Sequence, residues 1–209
     1  MNSKNNVILI GGFHEIIELC ETCNKNIIGI IDKDLNNDFQ GYTILGDDSY
    51  ANELQLQYED IPLVLTPDKP ELRQKLFHYY SKYGFKFASL IHPGASISES
   101  ANIGRGVIIQ DFVNVSTKSK IGDFVKLNTS ANIMHDVRID SFTTVAPNAV
   151  LLGNVNISDK CYIGSNATIL PNVEIKQQSV VGAGAVVTSD ILTQSTVVGN
   201  PAKIRNNVE

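Results

Sequence analysis

With 209 residues the chain has room for one large domain or two small ones, and for a sizeable buried core. Its net charge of −5, with no run of Lys or Arg, argues against a nucleic-acid or anionic-membrane surface, and no apolar stretch approaches the roughly 20 residues of a membrane span. The N-terminal apolar run is too short for a signal peptide, and three cysteines form no even disulfide set, so a cytoplasmic protein is expected.

Residues 7–10 (VILI) read as a strand, followed by Gly11-Gly12 and a helical pattern from His14 to about Cys23. Cys20 and Cys23 make a C-x-x-C late in that pattern, where they read as small residues on a helix face and not as a redox pair. NIIGIID (26–32) reads as a second strand ending in Asp32, residues 49–57 as a helix, PLVLT (62–66) as a third strand, 67–84 as a helix with a Pro-containing entry, and FASLIH (87–92) as a fourth strand. This β-α-β-α-β-α-β order predicts a small parallel sheet with Rossmann-like winding over residues 1–92. Gly11-Gly12 sits between strand and helix, where backbone N–H groups hold phosphate, and Asp32 ends the next strand, the usual place for a ribose or base contact. Phe13 and Glu15 stand where the dinucleotide fingerprint wants small residues, so a tight turn that binds nothing is the competing reading. His92-Pro93 reads as the hinge into the second half, and His78 as a surface residue of a helix.

From residue 97 to residue 187 an aliphatic residue recurs at every sixth position, sixteen times without an insertion. Four residues after each comes a small or β-branched residue in nearly every case, and Gly follows the aliphatic at Gly104, Gly122, Gly164 and Gly182. A fixed short period marks a solenoid, and β-branched residues at a period of six select strands over helix. Alternation along a strand points positions i and i+4 inward and i+2 outward. Three short strands then make an eighteen-residue triangular coil, which buries its aliphatics only by stacking on the next.

His135 is the one histidine inside the repeat. It lies at i+2 after Ile133 and is expected to point outward, with Gly153 one coil above it and Thr117 one coil below. Contact between His135 and the adjacent Asp136 requires a corner or bend, because neighbouring strand residues face opposite ways. Cys161 is an inward i+4 residue, away from His135. A single histidine in the repeat also leaves no ligand set for a zinc hydratase, and no metal is expected.

The repeat over 97–192 and the tail VVGNPAKIR (197–205) resemble the left-handed β-helix of hexapeptide acyltransferases. Together with the N-terminal half, and with KLNTSANIMHD (126–136) as its most specific stretch, the whole chain resembles the bacterial nucleotide-sugar N-acetyltransferases that act on a 4-amino sugar, and their sialic-acid O-acetyltransferase relatives. The resemblance implies an α/β Rossmann-like nucleotide-sugar domain (1–92) followed by a left-handed parallel β-helix (93–209), assembled as a homotrimer with the active site between subunits. It implies acetyl-CoA as co-substrate and a nucleotide-linked amino sugar as acceptor, with O-acetylation of a sialic-acid-like sugar as the alternative. His135 is then the general base and Asp136 its partner, since histidine titrates near ~6.5 and takes the proton an attacking amine must lose. The acceptor is expected to meet Gly11, Gly12, Phe13, His14, Asp32, Lys33 and Asn128. The coenzyme is expected along Gly153, Gly164, Ser165, Gly182 and Ala183, with Lys203 or Arg205 on its phosphates and Gly153 leaving space for the thioester. Thr144 stands where the family often carries a second histidine, so its hydroxyl is expected near the thioester. The family's His-Gly turn appears here in shortened form as Gly11-Gly12-Phe13-His14.

Overall fold

The computed structural model describes residues 5–35 and 37–205 and divides into two compact units, Met1–His92 and Pro93–Glu209.

In the first unit, strands β1 (Asn6–Ile10), β2 (Asn26–Ile31), β3 (Asp38–Phe39), β4 (Tyr42–Gly46) and β5 (Leu63–Leu65) form a sheet in the order β3-β4-β2-β1-β5. β1 pairs in parallel with β2 and β5, and β2 with β4; only the β3–β4 pair is antiparallel. The strands read as continuous apolar runs because a parallel sheet is covered on both faces: Val7, Ile8, Leu9, Ile30, Leu63 and Val64 are fully buried. Helices α1 (His14–Thr22), α2 (Ala51–Gln57) and α3 (Pro70–Ser81) connect them, α2 after a 3-10 turn at Asp48–Tyr50 and α3 with Pro at its first turn.

Two features differ from the sequence expectation. The β3–β4 hairpin was not expected. It turns at Gln40-Gly41, both at positive φ, and inserts β4 beside β2. The expected strand at 87–92 shrinks to β6 (Leu90–Ile91) and one parallel bridge from Phe87 to Leu63. β5 is only three residues long and meets this segment at Phe87, while Leu90–Ile91 belongs to a different sheet.

In the second unit, sixteen two-residue strands run from Ser96–Ile97 to Val186–Val187, one per hexad. Each pairs in parallel with the strand eighteen residues further on, as Asn114 with Asn132 and Ile121 with Ile139, which stacks the coils into three parallel sheets. The inward aliphatics Ile109, Val115, Ile133, Leu151, Ile163 and Val181 and the small Ala131, Ala149 and Ala167 form one continuous core. This architecture fits a left-handed β-helix.

The corners have a device of their own. Once per hexad, from Gly106 to Gly184, a residue adopts φ near +60°. For L-residues this conformation costs about 1 kcal/mol or more, least for Gly and Asn. The corner amides recover part of that cost by bonding across coils, as Phe124 N to Arg105 O (2.8 Å) and Asn172 N to Gly153 O (3.0 Å). The last strands, Thr196–Val198 and Lys203–Ile204, form an antiparallel pair at the C-terminal end. No helix among the described residues is long and apolar enough to cross a membrane.

Candidate functional site

His135 and Asp136 stand at a corner of the β-helix, between the strands Asn132–Ile133 and Arg138–Ile139. Asp136 has φ of +60° and donates its amide to Thr117 O (3.0 Å). That left-handed residue is the bend the pair needs: it swings the carboxylate to the same side as the preceding imidazole, and Nδ1 of His135 lies 2.9 Å from Oδ2 of Asp136. Both remain open to solvent, with side chains 55% and 45% exposed, so the pair is reachable by a ligand. An acceptor on Nδ1 holds the proton there and leaves the Nε2 lone pair facing away from the carboxylate.

Gly153 lies directly over the ring. A Cβ there would stand 2.5 Å from Cε1 and 2.6 Å from Nε2 of His135. The space that glycine leaves is therefore filled by the imidazole itself, not by room for a thioester as the sequence suggested. Gly153 sets where Nε2 can sit.

The other expected coenzyme contacts fall apart from one another. Thr144 is fully buried, in register with the equally buried Lys126, and offers no surface to a coenzyme. The reason is that this outward-facing column is covered within the chain, as Ile108 also shows. Gly164 and Gly182 owe their identity to close stacking. A Cβ on Gly164 would meet Ala183 N at 2.6 Å, and one on Gly182 would meet Val198 Cγ1 at 2.7 Å. Their amides are spent on Val181 O and Val197 O. Ser165 is half-buried and Ala183 exposed, while Lys203 lines a separate small cleft of about 210 Å3 with Asp190 and Leu192. Asn128 is buried, and its side-chain oxygen has no hydrogen-bond partner among the described residues.

Cys161 points into the core, where burial pushes its thiol up to about 12. Its Sγ lies 3.2 Å from Lys176 O. It is neither exposed nor ionised, so the helix holds no usable thiol nucleophile at this residue.

In the N-terminal unit a cleft of about 230 Å3 opens at the C-terminal ends of β1, β2 and β5, the side on which open parallel sheets bind ligands. Gly11, Phe13, Asp32 and Lys33 line it. Gly11 has φ of +95°, and a Cβ on Gly12 would stand 2.5 Å from Leu35. Asp32 ties the cleft together: its Oδ2 accepts from Gly12 N (2.9 Å) and its Oδ1 from Asp34 N (2.9 Å). His14 turns the other way, packing on Phe39 at 4.8 Å and contacting Gln40, both of the hairpin the sequence did not reveal.

Sequence reasoning missed the far wall of this cleft, made by Asp48, Pro67, Leu72 and Leu76. Asp48 is held by the Tyr80 hydroxyl (2.6 Å), whose own ionisation is pushed up by burial and then by that bond. Pro67 is fixed by the fully buried Arg73, which donates to Pro67 O (2.8 Å) and Asp68 O (2.9 Å). Burial lowers the Arg73 guanidinium to about 10. A lone Arg in a helix of mixed polarity gave no sign of this role.

The family model described as bacterial transferase hexapeptide (six repeats) matches residues 154–189. GDP-perosamine N-acetyltransferase from Caulobacter crescentus, solved as a histidine-to-alanine variant with CoA and GDP-perosamine, is 31% identical, with 97% of each chain covered and a TM-score of 0.92. The acetyltransferase domain of PglB from Neisseria gonorrhoeae FA1090, in complex with acetyl coenzyme A, is 30% identical over 96% of this chain and 99% of that one, with a TM-score of 0.89. WeeI from Acinetobacter baumannii AYE is 27% identical over 96% and 100%, at 0.87. No curated protein matches the sequence at a significant level.

Proposed function

The chain belongs to the hexapeptide-repeat family of sugar N-acetyltransferases, and on that footing we propose that it transfers the acetyl group of acetyl-CoA to the 4-amino group of a nucleotide-linked amino sugar. The observation that carries the reading onto this chain's own residues is the exposed His135–Asp136 pair, 2.9 Å apart at a β-helix corner.

In this reading the sugar amine attacks the thioester carbonyl while Nε2 of His135 takes the proton the nitrogen must shed. The tetrahedral adduct collapses, the C–S bond breaks, and the thiolate leaves with a proton returned by the imidazolium. Asp136 keeps the proton on Nδ1 and stabilises the charged ring, as carboxylates do for catalytic histidines. Direct transfer within a ternary complex fits the burial of Cys161, because an acyl-enzyme on that residue would need an exposed thiolate.

The two units divide the work. The N-terminal unit is Rossmann-like in its role and receives the nucleotide at the cleft of Gly11, Phe13, Asp32 and Lys33; Asn128 is a sugar contact. Acetyl-CoA lies along the C-terminal coils, near Ser165 and Ala183, with Lys203 and Arg205 toward its phosphates. The working assembly is a homotrimer in the cytoplasm, and sedimentation at the 22.8 kDa of a single chain with full activity would rule that out.

The deciding experiment incubates the protein with acetyl-CoA and a panel of UDP-, dTDP- and GDP-linked 4-amino sugars and follows free thiol. Thiol release with at least one of them, and acetyl incorporation on nitrogen, is expected. Thiol release with none of them, or acetyl recovered on oxygen, would overturn the proposal.

A further inference from the structure

One face of the β-helix carries an open groove of about 610 Å3, within the size range of small-molecule sites. Two neighbouring columns of side chains line it. The corner column brings Lys118, Asp136 and Asn154, and the strand column brings Lys120, Arg138 and Asn156. Strand pairing sets Lys120 directly beside Arg138, and Arg138 beside Asn156, one strand spacing of about 4.8 Å apart.

The charge here runs against the rest of the protein. The chain is net −5, yet the groove gathers three cations against the single carboxylate of Asp136. Among the described residues no ion pair engages Lys118, Lys120 or Arg138, whereas elsewhere on the helix Arg105 pairs with Asp123 and Lys176 with Glu174. Asp140, two residues beyond Arg138, is held above the usual carboxylate range by burial and then by Asp159, with Arg138 only partly opposing them. Like charges directly opposite across a strand pair are destabilising, so folding gains nothing from the Lys120–Arg138 neighbours. Asp136, the one acid in the groove, is already engaged with His135, so the groove shares a residue with the imidazole pair.

We propose that this groove is a phosphate subsite that receives the diphosphate of one of the two substrates. A guanidinium and two ammonium groups at one-strand spacing match two linked phosphoryl groups, and the Asn154 and Asn156 amides supply neutral donors at the end of the groove. Within the acetyl-transfer reading, both coenzyme A and the nucleotide sugar carry such a diphosphate; assignment to the coenzyme would replace the placement of its diphosphate toward Lys203 and Arg205, and the experiment tells the two apart.

The full-length protein is titrated with inorganic pyrophosphate by calorimetry, as wild type and as Lys120→Gln, Arg138→Gln and the double variant, with Lys176→Gln as a cation outside the groove. All three substitutions fall on exposed or half-exposed side chains, so folding is retained. Pyrophosphate affinity is expected to fall at least fivefold in each groove variant and further in the double, with Lys176→Gln unchanged. The KM of each substrate is then measured. A rise for acetyl-CoA alone assigns the groove to the coenzyme, and a rise for the nucleotide sugar alone assigns it to the acceptor. Unchanged pyrophosphate affinity, or both KM values moving by the same factor, would overturn the proposal, the second because it marks a diffuse field in place of a site. If no nucleotide amino sugar is acetylated at all, the pyrophosphate arm still decides.

Discussion

Replacing Gly153 with alanine tests whether the position of the His135 ring governs turnover. The new methyl would sit 2.5 Å from Cε1 and 2.6 Å from Nε2, against an ordinary carbon–carbon contact of about 3.5 Å. The ring must therefore retreat by about 1 Å. Gly153 lies outside the left-handed region, so alanine brings no backbone strain, and the half-exposed imidazole is free to move. The cost thus falls on geometry and hardly on stability. A displacement of about 1 Å at a catalytic group costs about 10²-fold in rate, equivalent to about 2.7 kcal/mol of barrier. We expect kcat for acetyl transfer, followed by thiol release, to fall about 10²-fold in Gly153→Ala, with the urea midpoint near wild type. Gly164→Ala is the contrasting control: its Cβ would meet backbone atoms of Val181, Gly182 and Ala183 that cannot rotate away, so stability should fall by about 2 kcal/mol. Turnover within twofold of wild type in Gly153→Ala would refute the reasoning, since it would mean that the imidazole does no chemistry in the position seen here.

His135→Ala should lower kcat by about 10²–10⁴, the usual worth of a positioned base, and Asp136→Asn by less, since the carboxylate orients the ring without carrying the proton; near-normal turnover in His135→Ala at saturating substrates would remove it from the mechanism. Asp32→Ala frees both Gly12 N and Asp34 N, so KM for the nucleotide sugar should rise about tenfold while acetyl-CoA affinity measured by calorimetry stays put. Equal loss of both ligands would point to collapse of the unit instead. Cys161→Ala should keep its turnover, and folded wild type should leave Cys161 unlabelled by iodoacetamide at pH 8, because a thiol raised to about 12 is protonated there; an acetylated Cys161 recovered by mass spectrometry would contradict direct transfer.

The β-helix was legible because its physics is one-dimensional. A coil buries its aliphatics only against its neighbours, so each inward position must repeat, and Ile97 to Val187 does so without a break. The outward faces obey no such rule. Thr144 and His135 are both outward by the register, yet one is sealed and the other half-exposed. Whether an outward residue meets solvent depends on what covers its face, and no period in the sequence records that. The hairpin at Asp38–Gly46 was hidden for a different reason. Its turn uses Gln40-Gly41, with Gln40 at φ +52°, where Asn-Gly is the usual signal, and the aromatics Phe39 and Tyr42 around Gly41 were the only hint. The same hairpin supplies neighbours of His14 that the sequence does not announce, Phe39 and Gln40.

The corner at Asp136 joins the two kinds of information. The alternation rule alone places His135 and Asp136 on opposite faces, and it states the condition under which they meet: a bend between them. The bend is built into the hexad, since φ turns positive once every six residues, at positions held by Asn148, Asn154, Asn166 and Asn172 in other coils. Asn tolerates that conformation better than most residues, through short-range hydrogen bonding of its side chain, and Asp shares the property. An acid at this position thus serves the fold as a corner and the imidazole as a partner in one residue. Asn at 136 would keep the corner and lose the charge, whereas a β-branched residue would lose the corner as well. That is why Asp136→Asn, and not Asp136→Val, isolates the electrostatic part of the pair.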